Sequence, residues 1–88
     1  MYTIYTKAIQ DSFIGTGRDA LIVKDGTIVA YNRTWDDPWA TPARRAIDSE
    51  LVGQPASKRG KGWRKMTGFA AENSQGWAGD AVDMQSWL

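Results

Sequence analysis

The side chains best suited to proton transfer, thiol chemistry and soft-metal binding are missing, because the chain has no His and no Cys. The usual neutral-pH general base, the sulfur nucleophile and the commonest metal ligand therefore go together. Ser12, Ser49, Ser57, Ser74 and Ser86 remain, but none lies in a nucleophile motif. No catalytic residue is assigned, and the expectation is a protein that is not an enzyme. Asp36 and Asp37 stand beside Pro38, with Asp48 and Glu50 further on. These carboxylates match no calcium-loop spacing, and adjacent Asp residues in a turn commonly cap backbone and face water. No metal and no cofactor is expected. Gly15-Thr16-Gly17-Arg18 precedes a strand instead of opening a helix, and Gly60-Lys61-Gly62 lacks the Walker spacing, so neither reads as a phosphate loop.

Two clusters suit binding instead of turnover. Lys58, Arg59, Lys61, Arg64 and Lys65 crowd one short segment around Trp63. Cations that track phosphates beside a ring that stacks on bases would suit single-stranded nucleic acid, and the same cations would suit an acidic protein surface. The bland alternative is a solvated loop with Trp63 plugging the core. Trp35 and Trp39 flank Asp36, Asp37 and Pro38. Large rings on a stiffened loop make interface anchors, or else they cover a sheet face that needs covering.

The elements that must hold these clusters follow from periodicity. Tyr2 to Ala8 alternates and is rich in β-branched and aromatic residues, which predicts a first strand. Gln10 to Asp19 reads as a loop with one helical turn that carries Phe13 and Ile14 inward. Ala20 to Lys24, then Asp25-Gly26, then Thr27 to Tyr31 predicts a hairpin with a two-residue type I′ turn. In the simple register Val23 faces Ile28 and Leu21 faces Ala30 on one side, while Ile22 meets Val29 and Ala20 meets Tyr31 on the other. Both faces are apolar, so both need cover. Thr41-Pro42 opens a helix carrying Ala43, Ala46, Ile47 and Leu51, with Gly53 as its stop. Gln54 to Gly62 has loop composition and is expected to be exposed and mobile. Trp63, Met66 and Phe69 are candidates to return to the core. Trp77, Ala81, Met84 and Leu88 form one stripe of a C-terminal helix with Asp80 as its cap.

The fold class expected is α+β: a small antiparallel sheet of about three strands around the central Asp-Gly hairpin, packed by one or two short helices. Residues 1–88 are too few for a second core, and five Trp, three Tyr and two Phe must supply much of the burial. Eleven basic against ten acidic residues leave a formal charge of +1, so electrostatic recognition is local. The first residues do not form a basic leader followed by an apolar run, and no stretch reaches membrane-spanning length, which points to a soluble cytoplasmic protein.

Ala20 to Tyr31 resembles the strand, Asp-Gly, strand opening of many metal-dependent amidohydrolases. The resemblance ends with the hairpin, and there is no His to hold their metals. In size and habit the chain is similar to compact inhibitors and accessory proteins of bacteriophages and mobile elements, anti-CRISPR proteins among them. That implies a protein-binding inhibitor directed at a larger host protein or nucleoprotein complex, such as a CRISPR-Cas assembly. Its contacts would be Trp35, Asp36, Asp37, Trp39, Lys58, Arg59, Lys61, Trp63, Arg64 and Lys65. The alternatives are a single-stranded nucleic-acid-binding protein using residues 58–65, and a structural or assembly subunit of a phage or other complex.

Overall fold

The computed structural model describes residues 1–12, 15–36 and 50–85. Strands β1 (Thr3–Asp11), β2 (Gly15–Lys24), β3 (Thr27–Trp35) and β4 (Arg64–Lys65) form one sheet in the order β3-β2-β1-β4, with every pairing antiparallel. Two helices, α1 (Gly68–Asn73) and α2 (Gln75–Gln85), follow the last strand. The architecture is α+β, with four strands instead of about three. No helix among the described residues is long and apolar enough to cross a membrane.

Strand β2 begins at Gly15, so Gly15 to Asp19 is sheet and not the loop its turn-forming residues suggested. Cross-strand partners override local turn propensity here, since Lys7 pairs with Asp19 and Ala8 with Arg18. Phe13 and Ile14 lie outside the described residues.

Strands β2 and β3 are joined through Asp25 (φ 52°) and Gly26 (φ 79°), the positive values that a tight two-residue connection with the sheet's twist demands. Val23 faces Ile28, as the simple register has it, but a β-bulge follows and Ile22 then faces Ala30, Leu21 faces Tyr31 and Ala20 faces Asn32. The extra residue is Val29. It moves Ala30 and Tyr31 to the faces opposite those the uninterrupted register assigned.

Two apolar clusters result, one on each face of the sheet. Ile4, Ala20, Ile22 and Ala30 pack with Ala78 and Ala81 of α2, flanked by Tyr2, Val29, Met66 and Val82. Leu21, Val23, Ile28 and Trp63 form the second cluster, flanked by Tyr5, Tyr31, Leu51 and Ala56. Small residues at Ala30, Ala78 and Ala81 let α2 approach the strands closely. The buried face of α2 is therefore Ala78, Ala81 and Val82, displaced from the Trp77, Ala81, Met84 stripe. Trp77 is 38% and Met84 68% exposed. Asp80 lies inside α2, not at its start, because the helix begins at Gln75. Phe69 stays out of the core at 78% exposure, whereas Met66 enters it. Gln75 fastens the chain start to the helices: its Oε1 accepts from Tyr2 N–H at 2.7 Å, and its Nε2 donates to Tyr2 C=O at 2.8 Å.

The segment from Gly53 to Arg59 is anchored, contrary to its loop composition. Ile28 N–H donates to Gln54 C=O, Gly53 N–H to Ile28 C=O and Ala56 N–H to Gly26 C=O. A 3-10 turn over Ala56–Lys58 follows, and Ala56 packs on the second cluster. The backbone of β3's edge supplies the anchor that the side chains lack. The helix expected from Pro42 lies outside the described residues up to position 49. Leu51, at its expected end, is half-buried against the second cluster.

A candidate binding groove on the sheet

The second face carries the densest polar construction. The register places Lys7, Asp19 and Arg33 side by side across β1, β2 and β3. Asp19 is fully buried, and Arg33 grips it with both arms, Nε to Oδ1 at 2.6 Å and Nη2 to Oδ2 at 2.8 Å. The Arg33 guanidinium also lies 5.6 Å from the Trp35 ring and 6.0 Å from the Tyr31 ring. Lys7 Nζ sits 4.7 Å over Trp63, and the Arg59 guanidinium 4.3 Å over Tyr5. Bidentate pairing and cation–π contact are what allow charge to sit on a face that is otherwise apolar.

These contacts settle where several sequence candidates lie. Trp63 is only 8% exposed, inside the core and beneath Lys7, so its ring offers no open face for a base. Arg59 is spent on Tyr5 and on the Ala56 carbonyl. Trp35 is half-buried, and its ring fills the space a Cβ at Gly17 would need, 2.8 Å away. Asp36 is exposed, as expected, but its carboxylate accepts from the Thr16 hydroxyl Oγ1 at 2.8 Å across the sheet instead of capping backbone. Asp37 and Trp39 lie outside the described residues. Lys58, Lys61 and Lys65 are exposed. The basic segment therefore does not act as one patch: alternation along β4 sends Arg64 to the face of Thr6 and Lys65 to the face of Tyr5. Among the described residues no three acidic side chains converge in a way that could hold a metal ion.

Arg64 meets a partner that the sequence did not single out. On the helix-covered face, ten-residue β2 runs roughly 30 Å, whereas eleven-residue α2 spans only roughly 16 Å. The helix covers the end that carries Ile4, Ile22 and Ala30. Beyond its first turn the sheet forms a groove of about 250 Å³ lined by Thr6, Arg18, Ala20, Asn32, Thr34, Met66, Ser74 and Trp77. A second depression of about 450 Å³ shares Thr6 and Arg18 with it and adds Lys7, Ala8, Gly62 and Arg64. Arg18 and Arg64 are both exposed, and neither has a carboxylate partner among the described residues. The lining of the first cavity combines apolar Ala20 and Met66, the Trp77 indole, neutral hydrogen-bonding residues and one cation, Arg18. Such a groove can hold a flat ligand and offers charge at one end only.

Thr6, Arg18, Asn32, Thr34 and Trp77 were not candidates from sequence. The signal was present in the alternation Arg18, Ala20, Ile22, but it is readable only once Gly15 to Asp19 is known to be strand. Compared with protein-family models, curated proteins and solved structures, the chain gives no significant match.

Proposed function

We propose that the chain is a non-enzymatic accessory or inhibitor protein that docks stoichiometrically on a larger nucleic-acid-processing assembly, a CRISPR-Cas complex being one of that kind. The docking surface is the groove on the helix-covered face. One observation carries this reading: Arg18 and Arg64, from strands separated by β1, converge on adjoining cavities with no carboxylate among the described residues to neutralise them. Unpaired guanidiniums held on strands are preorganised for an anionic partner and steer its approach. The earlier emphasis on Trp35 moves to Trp77, because Trp35 is occupied by Gly17 and Arg33 while Trp77 stands at the groove wall.

The test uses fluorescence anisotropy with two anionic probes, a labelled polyglutamate peptide and a labelled oligothymidylate, against the protein and against Arg18→Glu/Arg64→Glu. The expected result is binding of at least one probe, abolished by the double reversal while the melting temperature is kept. Equal binding by protein and variant, or no binding of either probe, refutes the groove as a docking surface.

A further inference from the structure

We infer that the groove takes a segment of single-stranded nucleic acid, with one base in the cavity beside Trp77 and its phosphates on Arg18 and Arg64. This rests on the docking reading above and names the chemistry of the occupant. The two adjoining cavities differ in character, and that difference argues for a two-part ligand. The first cavity is lined by the apolar Ala20 and Met66, the Trp77 indole, and the polar residues Thr6, Asn32, Thr34 and Ser74, with Arg18 on its border. A lining that is mainly apolar and includes an indole beside a few hydrogen-bonding side chains suits a planar group with polar edges. The second cavity brings Arg64 beside Arg18, which borders both. A nucleotide has this sequence of parts, a flat polar-edged base joined to an anion one sugar away. A purely acidic peptide such as polyglutamate would satisfy the two guanidiniums but would leave the mainly apolar first cavity without a complement.

Base stacking cannot fall to Trp63, which is buried under Lys7. Trp77, at 38% exposure and adjacent to a cation-lined cavity, is available for that role. Because Arg18 and Arg64 are exposed and Trp77 is only partly covered, substitutions there leave the two apolar clusters intact.

The experiment measures three labelled probes on the unmodified protein: oligothymidylate, an abasic deoxyribose-phosphate oligomer of equal length, and polyglutamate. Oligothymidylate should bind at least about tenfold tighter than either other probe, the increment that one stacked base supplies. Between about 50 and 200 mM salt its log-log slope should be about −1 to −1.5, two phosphates at roughly −0.7 each, and Arg18→Gln or Arg64→Gln should each remove about 0.7 from it. Trp77→Ala should erase the advantage over the abasic oligomer, while Trp77→Phe retains most of it. If polyglutamate or the abasic oligomer binds as tightly as oligothymidylate, the nucleic-acid inference is overturned and the docking reading stands. If no probe binds, both are overturned. The abasic comparison needs no variant, so a folding defect in Trp77→Ala cannot obscure the result.

Discussion

Arg33→Met is the substitution with the largest consequence that can be worked from the structure. Asp19 has no solvent exposure, and both carboxylate oxygens are satisfied by Arg33 at 2.6 and 2.8 Å. Met fills the stem's volume over Trp35 and Tyr31 but removes the donors, which strands a carboxylate inside the sheet face. Breaking a buried pair from one side costs about 3–5 kcal/mol. In a domain of this length each kcal/mol lowers the melting temperature by about 4–8 °C, so a fall of at least about 12 °C is expected. Total stability for such a chain is on the order of 4–13 kcal/mol, so the loss is a large fraction of the whole and would unfold part of the population at ambient temperature if the protein lies at the low end of that range. Lys7 stands opposite Asp19 on β1 and could swing from the Trp63 ring to relieve part of the loss. Adding Lys7→Met to Arg33→Met should therefore deepen the cost. Asp19→Leu added to Arg33→Met should instead recover most of the stability, because an apolar pair leaves no stranded charge. Urea denaturation followed by tryptophan fluorescence reads all four proteins. A loss below about 1 kcal/mol for Arg33→Met, or an Asp19→Leu/Arg33→Met variant no more stable than Arg33→Met alone, would refute the reasoning.

Three further outcomes can be checked by thermal or chemical denaturation. Gly17→Ala should cost about 1–3 kcal/mol, because a Cβ there runs into the Thr34 C=O and meets the Trp35 ring at 2.8 Å; a neutral result would mean that Trp35 does not lie on Gly17 in solution. Gly26→Val should destabilise more than Gly26→Asn, since Gly26 has φ 79° and no atom within 4 Å of an added Cβ, which leaves backbone strain as the whole effect; equal midpoints would remove the turn geometry. A chelator should leave the melting temperature unchanged, given that no three acidic side chains converge among the described residues, and a drop reversed by one added metal would expose an all-oxygen site that includes Asp36 or Asp37.

The strands around Asp25-Gly26 were legible because three local signals agree there: β-branched composition, alternation and a turn dipeptide suited to positive φ. The register beyond Val23 was not read, although its determinants are in the sequence. Without the bulge Arg33 would oppose Arg18, and Trp35 would oppose Thr16. With it Arg33 opposes Asp19 and Trp35 opposes Gly17. Cross-strand charge and the need of a large ring for a bare backbone therefore argue for the bulge, but both are long-range arguments that a scan for local periodicity does not weigh. Trp77 and Met84 stand outside the core for the opposite reason. Helical spacing identifies a stripe, yet α2 docks through Ala78 and Ala81 because close approach to Ala30 rewards small residues over large ones. The segment Gln54 to Gly62 is largely exposed, as its composition suggests, yet Gln54 and Ala56 are held by backbone bonds to Ile28 and Gly26 that no side-chain pattern records.

The groove has the same origin as these misreadings, in lengths instead of motifs. Strands of nine and ten residues were drawn out by pairing from Thr3 to Asp11 and from Gly15 to Lys24, past the point that an eleven-residue helix can cover. A sheet end that α2 does not cover must turn polar where it meets water, and among the described residues those that change are Arg18, Asn32 and Thr34, facing the helix side beyond Ala20 and Ala30. Polar residues at that position need no function. What solvation alone does not require is the departure from charge balance: a chain with eleven basic and ten acidic residues places two guanidiniums there and no carboxylate among the described lining residues. A solvated sheet end would be served equally well by alternating signs, which also stabilise cross-strand neighbours. The one-signed lining is complementary to an anion, and this is why the groove, and not the internally paired Asp19 and Arg33 of the other face, is the surface proposed for a partner.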